Sequence, residues 1–137
     1  MSLYLCVFSG SDEKAGLEVG TYADFNALRR FVAVVLEGGL AGSRFPTLAT
    51  HSDCDGEWTL SACGVLLKEL STIIVEMKGL PPLEFPGEWQ ESVARSRGLR
   101  PRDAFESFID VDGEFLLQRL LGLAEVALEC GQPILFQ

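Results

Sequence analysis

Leu3-Tyr4-Leu5-Cys6-Val7-Phe8-Ser9-Gly10-Ser11-Asp12 opens the chain with six apolar residues and a polar turn cluster. The aromatic and β-branched members favour an extended backbone, and Ser-Gly-Ser-Asp is turn chemistry. Because polar residues do not alternate within the run, it predicts a central strand buried on both faces. Leu17-Glu18-Val19, between Gly16 and Gly20, alternates and predicts a short hairpin partner.

Working outward, Thr21 is placed to cap a helix, and Asp24 lies in its first turn, where a carboxylate complements the helix dipole. Phe25, Leu28, Val32 and Val35 give this helix one apolar face, and Gly38-Gly39 ends it. Phe45-Pro46-Thr47-Leu48-Ala49 predicts an edge strand, since Pro46 cannot donate to a ladder. A polar loop, His51 to Trp58, leads to Thr59 as the cap of a long helix striped by Leu60, Cys63, Leu66, Leu67, Leu70, Ile73, Ile74 and Met77. Its β-branched stretch, Thr72 to Val75, stays in the helix because the stripe continues through it. Glu88 to Arg97 predicts a short polar helix, and Phe105 to Val111 a strand or extended segment. Glu114 to Cys130 predicts a strong helix closed by Gly131, and Ile134-Leu135-Phe136 a last strand. The order implies an α+β fold: one domain over residues 1–137, with a mixed or antiparallel sheet covered by about three main helices.

The composition narrows the function classes. With 11 basic against 20 acidic residues the formal net charge is −9. Such a chain repels nucleic acid and anionic membrane, which are bound by Lys and Arg, and favours a basic partner. Hydrophobic residues at 47 % suffice for a core without disulfides or metal. The apolar start lacks a basic leader region, and no apolar run reaches the roughly 20 residues of a membrane helix. A cytoplasmic protein with reduced Cys6, Cys54, Cys63 and Cys130 is therefore expected.

One motif occurs twice. Asp53-Cys54-Asp55-Gly56-Glu57 and Asp110-Val111-Asp112-Gly113-Glu114 agree at four of five positions and hold six of the twenty acids. As turns they need no ligand: Asp-Gly bends the chain, and the acids satisfy free N–H groups at the next helix start. As calcium loops they fail. Aligned on Gly56, the first and twelfth positions are His51 and Ala62; aligned on Gly113 they are Phe108 and Arg119, so the first ligand and the bidentate Glu are missing. As an exposed recognition surface, Asp53, Asp55, Glu57, Asp110, Asp112 and Glu114 would have to lie near one another. Trp58 and Trp89 each follow a Glu. Each is either a buried anchor or, if exposed, a contact for a basic partner.

A catalytic alternative centres on His51, the single histidine, with Asp53, Asp55 and Glu57 as a small metal-dependent hydrolase, or with Cys54 as a dyad. No zinc-protease, deaminase, nucleophile-elbow or phosphate-loop motif supports it, so no catalytic, cofactor-binding or metal-ligating residue is assigned and no cofactor is expected.

Tyr4-Leu5-Cys6-Val7, Glu18-Val19-Gly20-Thr21-Tyr22-Ala23-Asp24-Phe25, Arg44-Phe45-Pro46-Thr47-Leu48, His51-Ser52-Asp53-Cys54-Asp55-Gly56-Glu57-Trp58, Phe108-Ile109-Asp110-Val111-Asp112-Gly113-Glu114 and Pro133-Ile134-Leu135-Phe136-Gln137 are, in this order and spacing, similar to a bacterial immunity protein family of polymorphic toxin systems, identified as immunity protein seventy. The resemblance covers nearly the whole chain. It implies an α+β fold, no enzymatic activity, and a partner that is a cognate toxin domain, usually the C-terminal part of a larger secreted protein. No contact residues carry over with it. Asp53, Asp55, Glu57, Trp58, Asp110, Asp112 and Glu114 are toxin-binding candidates on charge and turn chemistry alone. A homodimer through an exposed terminal strand remains an open alternative.

Overall fold

The computed structural model describes residues 2–137. β1 (Ser2–Ser9) and β2 (Asp12–Thr21) form the antiparallel hairpin, closed by Gly10 at φ +64°. β2 is longer than the three residues that alternate in sequence, because β1 supplies partners along its whole length. Two bulges, between Leu3 and Tyr4 and between Val7 and Phe8, keep the apolar sets of the two strands on one face.

α1 (Tyr22–Phe31) starts in a full capping box. The Thr21 hydroxyl accepts from Asp24 N–H at 3.1 Å, and Asp24 Oδ2 accepts from Thr21 N–H at 2.7 Å. Gly20 is required there: at φ +126° it has no room for a Cβ, which would meet Asp24 Oδ2 at 2.6 Å and Trp89 Cζ2 at 2.8 Å. The helix continues as a π-helical turn, Val32–Leu36, before Gly38.

The segment expected as an edge strand is instead helical: α2 spans Pro46–Thr50. Proline at the first helical turn loses nothing, and buried Glu69 accepts from Thr47 and Leu48 N–H, both at 3.1 Å. The third strand lies in the expected loop: β3 is Glu57–Trp58. α3 (Leu60–Lys78) is capped by Thr59, α4 is Glu88–Arg97, and α5 is Leu116–Cys130, starting two residues later than the pattern predicts. Phe105–Ser107 is a 3₁₀ turn rather than a strand, and only Ile109 bridges, to Phe115. β4 (Ile134–Phe136) completes the sheet.

All pairings are antiparallel and the strand order is β2-β1-β4-β3. β1 and β4 are thus the two inner strands, so neither apolar terminal strand is a free edge. Leu3, Leu5, Val7, Leu17, Val19, Trp58, Ile134 and Phe136 face the helices and join Phe25, Leu28, Leu66, Leu70, Ile73, Leu117 and Leu120 in the core. The expectation that β1 is buried on both faces holds fully on the helix-facing side and in part on the other, where Cys6 has no exposed area and Tyr4 and Phe8 are half-buried. Tyr4, Cys6, Phe8 and Leu135, on the other face, are not part of that core.

Candidate functional site

The first acidic segment is pinned to α1. Arg29 donates to the carbonyls of Leu48 (3.2 Å) and His51, and Asn26 Nδ2 donates to Asp53 Oδ2 at 2.7 Å. That Asn26 bond, with help from nearby Arg29, holds the Asp53 carboxyl below the usual range. Ser52 Oγ accepts from Cys54 N–H (3.2 Å) and Asp55 N–H (3.4 Å), Gly56 turns at φ +83°, and Phe136 N–H ties Gly56 to β4 at 3.0 Å. Asp55 and Glu57 are exposed, and no ion pair among the described residues involves either.

His51 closes this loop. Its ring stacks on Phe136 with centroids 4.1 Å apart. Nδ1 lies 2.9 Å from the Ser52 carbonyl and Nε2 2.8 Å from that of Glu57, so both nitrogens are engaged by backbone oxygens. Neither is directed at Cys54, whose sulfur is 3.6 Å from Ser52 Oγ. Among the described residues no three His, Cys, Asp or Glu side chains are grouped to hold a metal ion.

The second acidic segment is built differently. Asp110 is fully buried, and its Oδ1 accepts from Asp112 N–H (2.9 Å) and Glu114 N–H (3.0 Å). Burial pushes its carboxyl up, although the loop amides and Arg119 pull the other way. Arg119 Nη1 is 3.3 Å from Asp110 Oδ2, without hydrogen-bond geometry, and 3.9 Å from Asp112. Arg97 donates to the Asp112 carbonyl at 2.7 Å and pairs with Glu114 at 3.3 Å.

The two segments do not converge. Val111 N–H donates to Glu18 of β2 at 3.2 Å, whereas Glu57 belongs to β3. They flank opposite edges of the sheet, three strand spacings or about 14 Å apart at least. Two candidates lie inside the fold. Asp110 has no exposed area, and Trp58, 2 % exposed, donates its indole N–H to the Thr47 carbonyl at 3.0 Å. Both are anchors rather than contact residues. Trp89 is also an anchor, donating to Asp24 at 3.2 Å. Asp55, Glu57, Asp112 and Glu114 remain exposed and Asp53 is half-buried.

Two surfaces escaped the reading of charge motifs. One is the open sheet face carrying Tyr4, Phe8 and Leu135. Its signal is the apolar residues at both parities of β1: Leu3, Leu5 and Val7 join the helix-facing core, whereas Tyr4 and Phe8 do not and are half-buried on the other face. The other is an apolar groove of about 340 Å³ lined by Phe31, Val34, Val35, Leu83, Pro86 and Phe108. Its signal is Val34 beside Val35: Val35, expected on the apolar face of the first helix, is instead exposed with Val34 where the helix passes into the π-helical turn Val32–Leu36. Among the described residues no helix is long and apolar enough to cross a membrane.

A family model described as Immunity protein 70 matches residues 3–136. Neither the curated proteins nor the solved structures give a match.

Proposed function

The chain belongs to the Immunity protein 70 family, and we propose from that membership that it binds and neutralises a cognate polymorphic toxin domain without catalysing a reaction. The match over residues 3–136 is the observation that carries this reading. A net charge of −9 makes the matching toxin surface basic. A nuclease fits this requirement, because its cleft must be basic to hold phosphates. The contact surface includes the exposed carboxylates Asp55 and Glu57 and the half-buried Asp53, with Asp112 and Glu114 in a lesser part because Arg97 and Arg119 already stand beside them.

The activity resides in the cytoplasm of the cell that makes the toxin. Co-expression with the toxin domain encoded in the neighbouring reading frame tests it. Growth rescue and co-purification are expected, and a toxin that kills with the chain present and folded overturns the proposal. The His51→Ala variant is expected to protect like the parent. Loss of protection by a folded His51→Ala would restore the hydrolase alternative.

A further inference from the structure

We propose that the toxin docks on the open face of the sheet, and that its docking surface is a basic protein patch that covers Tyr4, Phe8 and Leu135 and meets Glu13, Glu18 and Glu57. The inference rests on the immunity reading above. Register places these residues together. Gly16, Cys6, Leu135 and Glu57 stand opposite one another across β2, β1, β4 and β3, so their side chains share a face, and Tyr4 opposite Glu18 lies on the same side. Tyr4 Oη donates to Glu13 Oε1 at 2.6 Å, which puts Glu13 there as well. Phe8, opposite Glu13, follows Tyr4 and Cys6 at the strand period of two.

The face is apolar in the centre and acidic at the rim. Cys6 has no exposed area, Tyr4, Phe8 and Leu135 are half-buried, and Glu13, Glu18 and Glu57 are exposed. An aromatic centre ringed by polar groups is how strong protein interfaces are organised. The centre is also preorganised. Tyr4 lies across Gly16, where a Cβ would overlap its hydroxyl, and the bond to Glu13 fixes the ring tip. A surface held in its bound shape loses little entropy on docking.

Charge selects the occupant. A second copy of this chain would oppose its own three carboxylates to their equivalents, which disfavours self-association through this face. The nearby guanidinium of Arg119 is engaged by the Gly16 carbonyl at 3.0 Å and by Asp110, so it does not offset the rim. Glu57 makes the face continuous with the exposed loop 52–57, whose Asp55 extends the negative rim. The apolar groove beside Phe31 has no comparable charge bias, as Arg30 and Glu84 both border it.

The test measures affinity for the purified toxin domain from the neighbouring reading frame. Three proteins are compared: the parent, the triple variant Phe8→Ala/Glu18→Lys/Glu57→Lys, and Val75→Glu on the far side of α3, where the native side chain is 71 % exposed. A drop of 100-fold or more for the triple variant, with Val75→Glu unchanged and both circular dichroism spectra native, supports the docking face. Should the triple variant misfold, the milder pair Glu18→Gln/Glu57→Gln is expected to slow association about tenfold at low salt and less at high salt. Parent-like binding by the folded variants overturns the docking face but leaves the immunity reading standing. Absence of binding by the parent overturns both.

Discussion

Asp53-Cys54-Asp55-Gly56-Glu57 and Asp110-Val111-Asp112-Gly113-Glu114 are nearly the same words, and their glycines adopt nearly the same backbone, φ +83° and +81°. Their environments are opposite. In the second, the leading Asp is buried and accepts the two amides that shape the turn, and two arginines stand against the flanking acids. In the first, Ser52 accepts the Cys54 and Asp55 amides, Asp53 turns to Asn26, and Asp55 and Glu57 are exposed with no ion pair to either among the described residues. One copy therefore spends its charge on folding, while the other leaves it available to a partner. The difference lies in the neighbours, Arg97 and Arg119 against Asn26 and the adjacent Ser52, and not in the motif.

Removing the leading carboxylates separates the copies most strongly. Asp110→Ala strands the N–H groups of Asp112 and Glu114 and leaves Arg119 without its buried partner. It is expected to cost about 3 kcal/mol in urea unfolding. Asp53→Ala loses a single side-chain bond, to Asn26, and is expected to shift the urea midpoint far less. Equal losses would mean that the first loop is as structural as the second.

The turn glycines give a smaller contrast. At Gly113 an added Cβ would lie 3.0 Å from Val93 Cγ1 and 3.3 Å from Arg97 Cγ, besides adopting a left-handed backbone. At Gly56 the nearest atoms are in the His51 ring, 3.7 Å away. Gly113→Ala is expected to lose about 2 kcal/mol and Gly56→Ala about 1 kcal/mol, the second from backbone strain alone. Thermal midpoints of the two variants check the order.

Charge neutralisation tests the functional half of the comparison. Asp55→Asn/Glu57→Gln is expected to slow toxin association several-fold at low salt, and Asp112→Asn/Glu114→Gln to slow it less than twofold. Stopped-flow association rates at two ionic strengths measure both. A larger effect in the second loop would move the contact to residues 110–114, beyond the proposed face.

Much of the scaffold is legible from local signals. Thr21 and Thr59 announce α1 and α3, Gly131 closes α5, and the runs at 3–8 and 134–136 announce β1 and β4. What is not legible depends on partners far along the chain. α2 forms where a strand is expected because Glu69, 21 and 22 residues from the amides it accepts, supplies the missing cap. β3 forms from a polar loop because β4, near the other end of the chain, offers it a ladder. For the candidate site, the acids are visible as a motif, but the burial of Asp110 and Trp58 is not. An Asp-x-Asp-Gly-Glu word reads alike whether its first carboxylate faces water or Arg119.

The smallest expected effect is also the most discriminating about environment, because the two leading carboxylates titrate in opposite directions. The unperturbed value is about 3.9. Asp53 is held below it, chiefly by the Asn26 bond, so its contribution to stability is complete above the unfolded value and is lost as pH falls through the lower, folded one. Asp110 is pushed above it by burial, so the native state takes up its proton first. Its ionisation then lowers stability as pH rises from about 3.9 through the raised value. Acidification therefore restores stability at the second loop as pH falls from the raised value to about 3.9 and removes stability at the first loop below about 3.9, so the two contributions oppose each other in successive pH ranges. Carbon-detected titration of the side-chain carboxyls resolves them individually: with the unperturbed aspartate value as the reference, Asp53 is expected to titrate below it and Asp110 above it. Asn26→Ala should move Asp53 up towards the reference and leave Asp110 unchanged. If Asp110 titrated with Asp53 on the low side, the arginine and the loop amides would outweigh burial, and the second loop would hold a settled anion in place of a costly one.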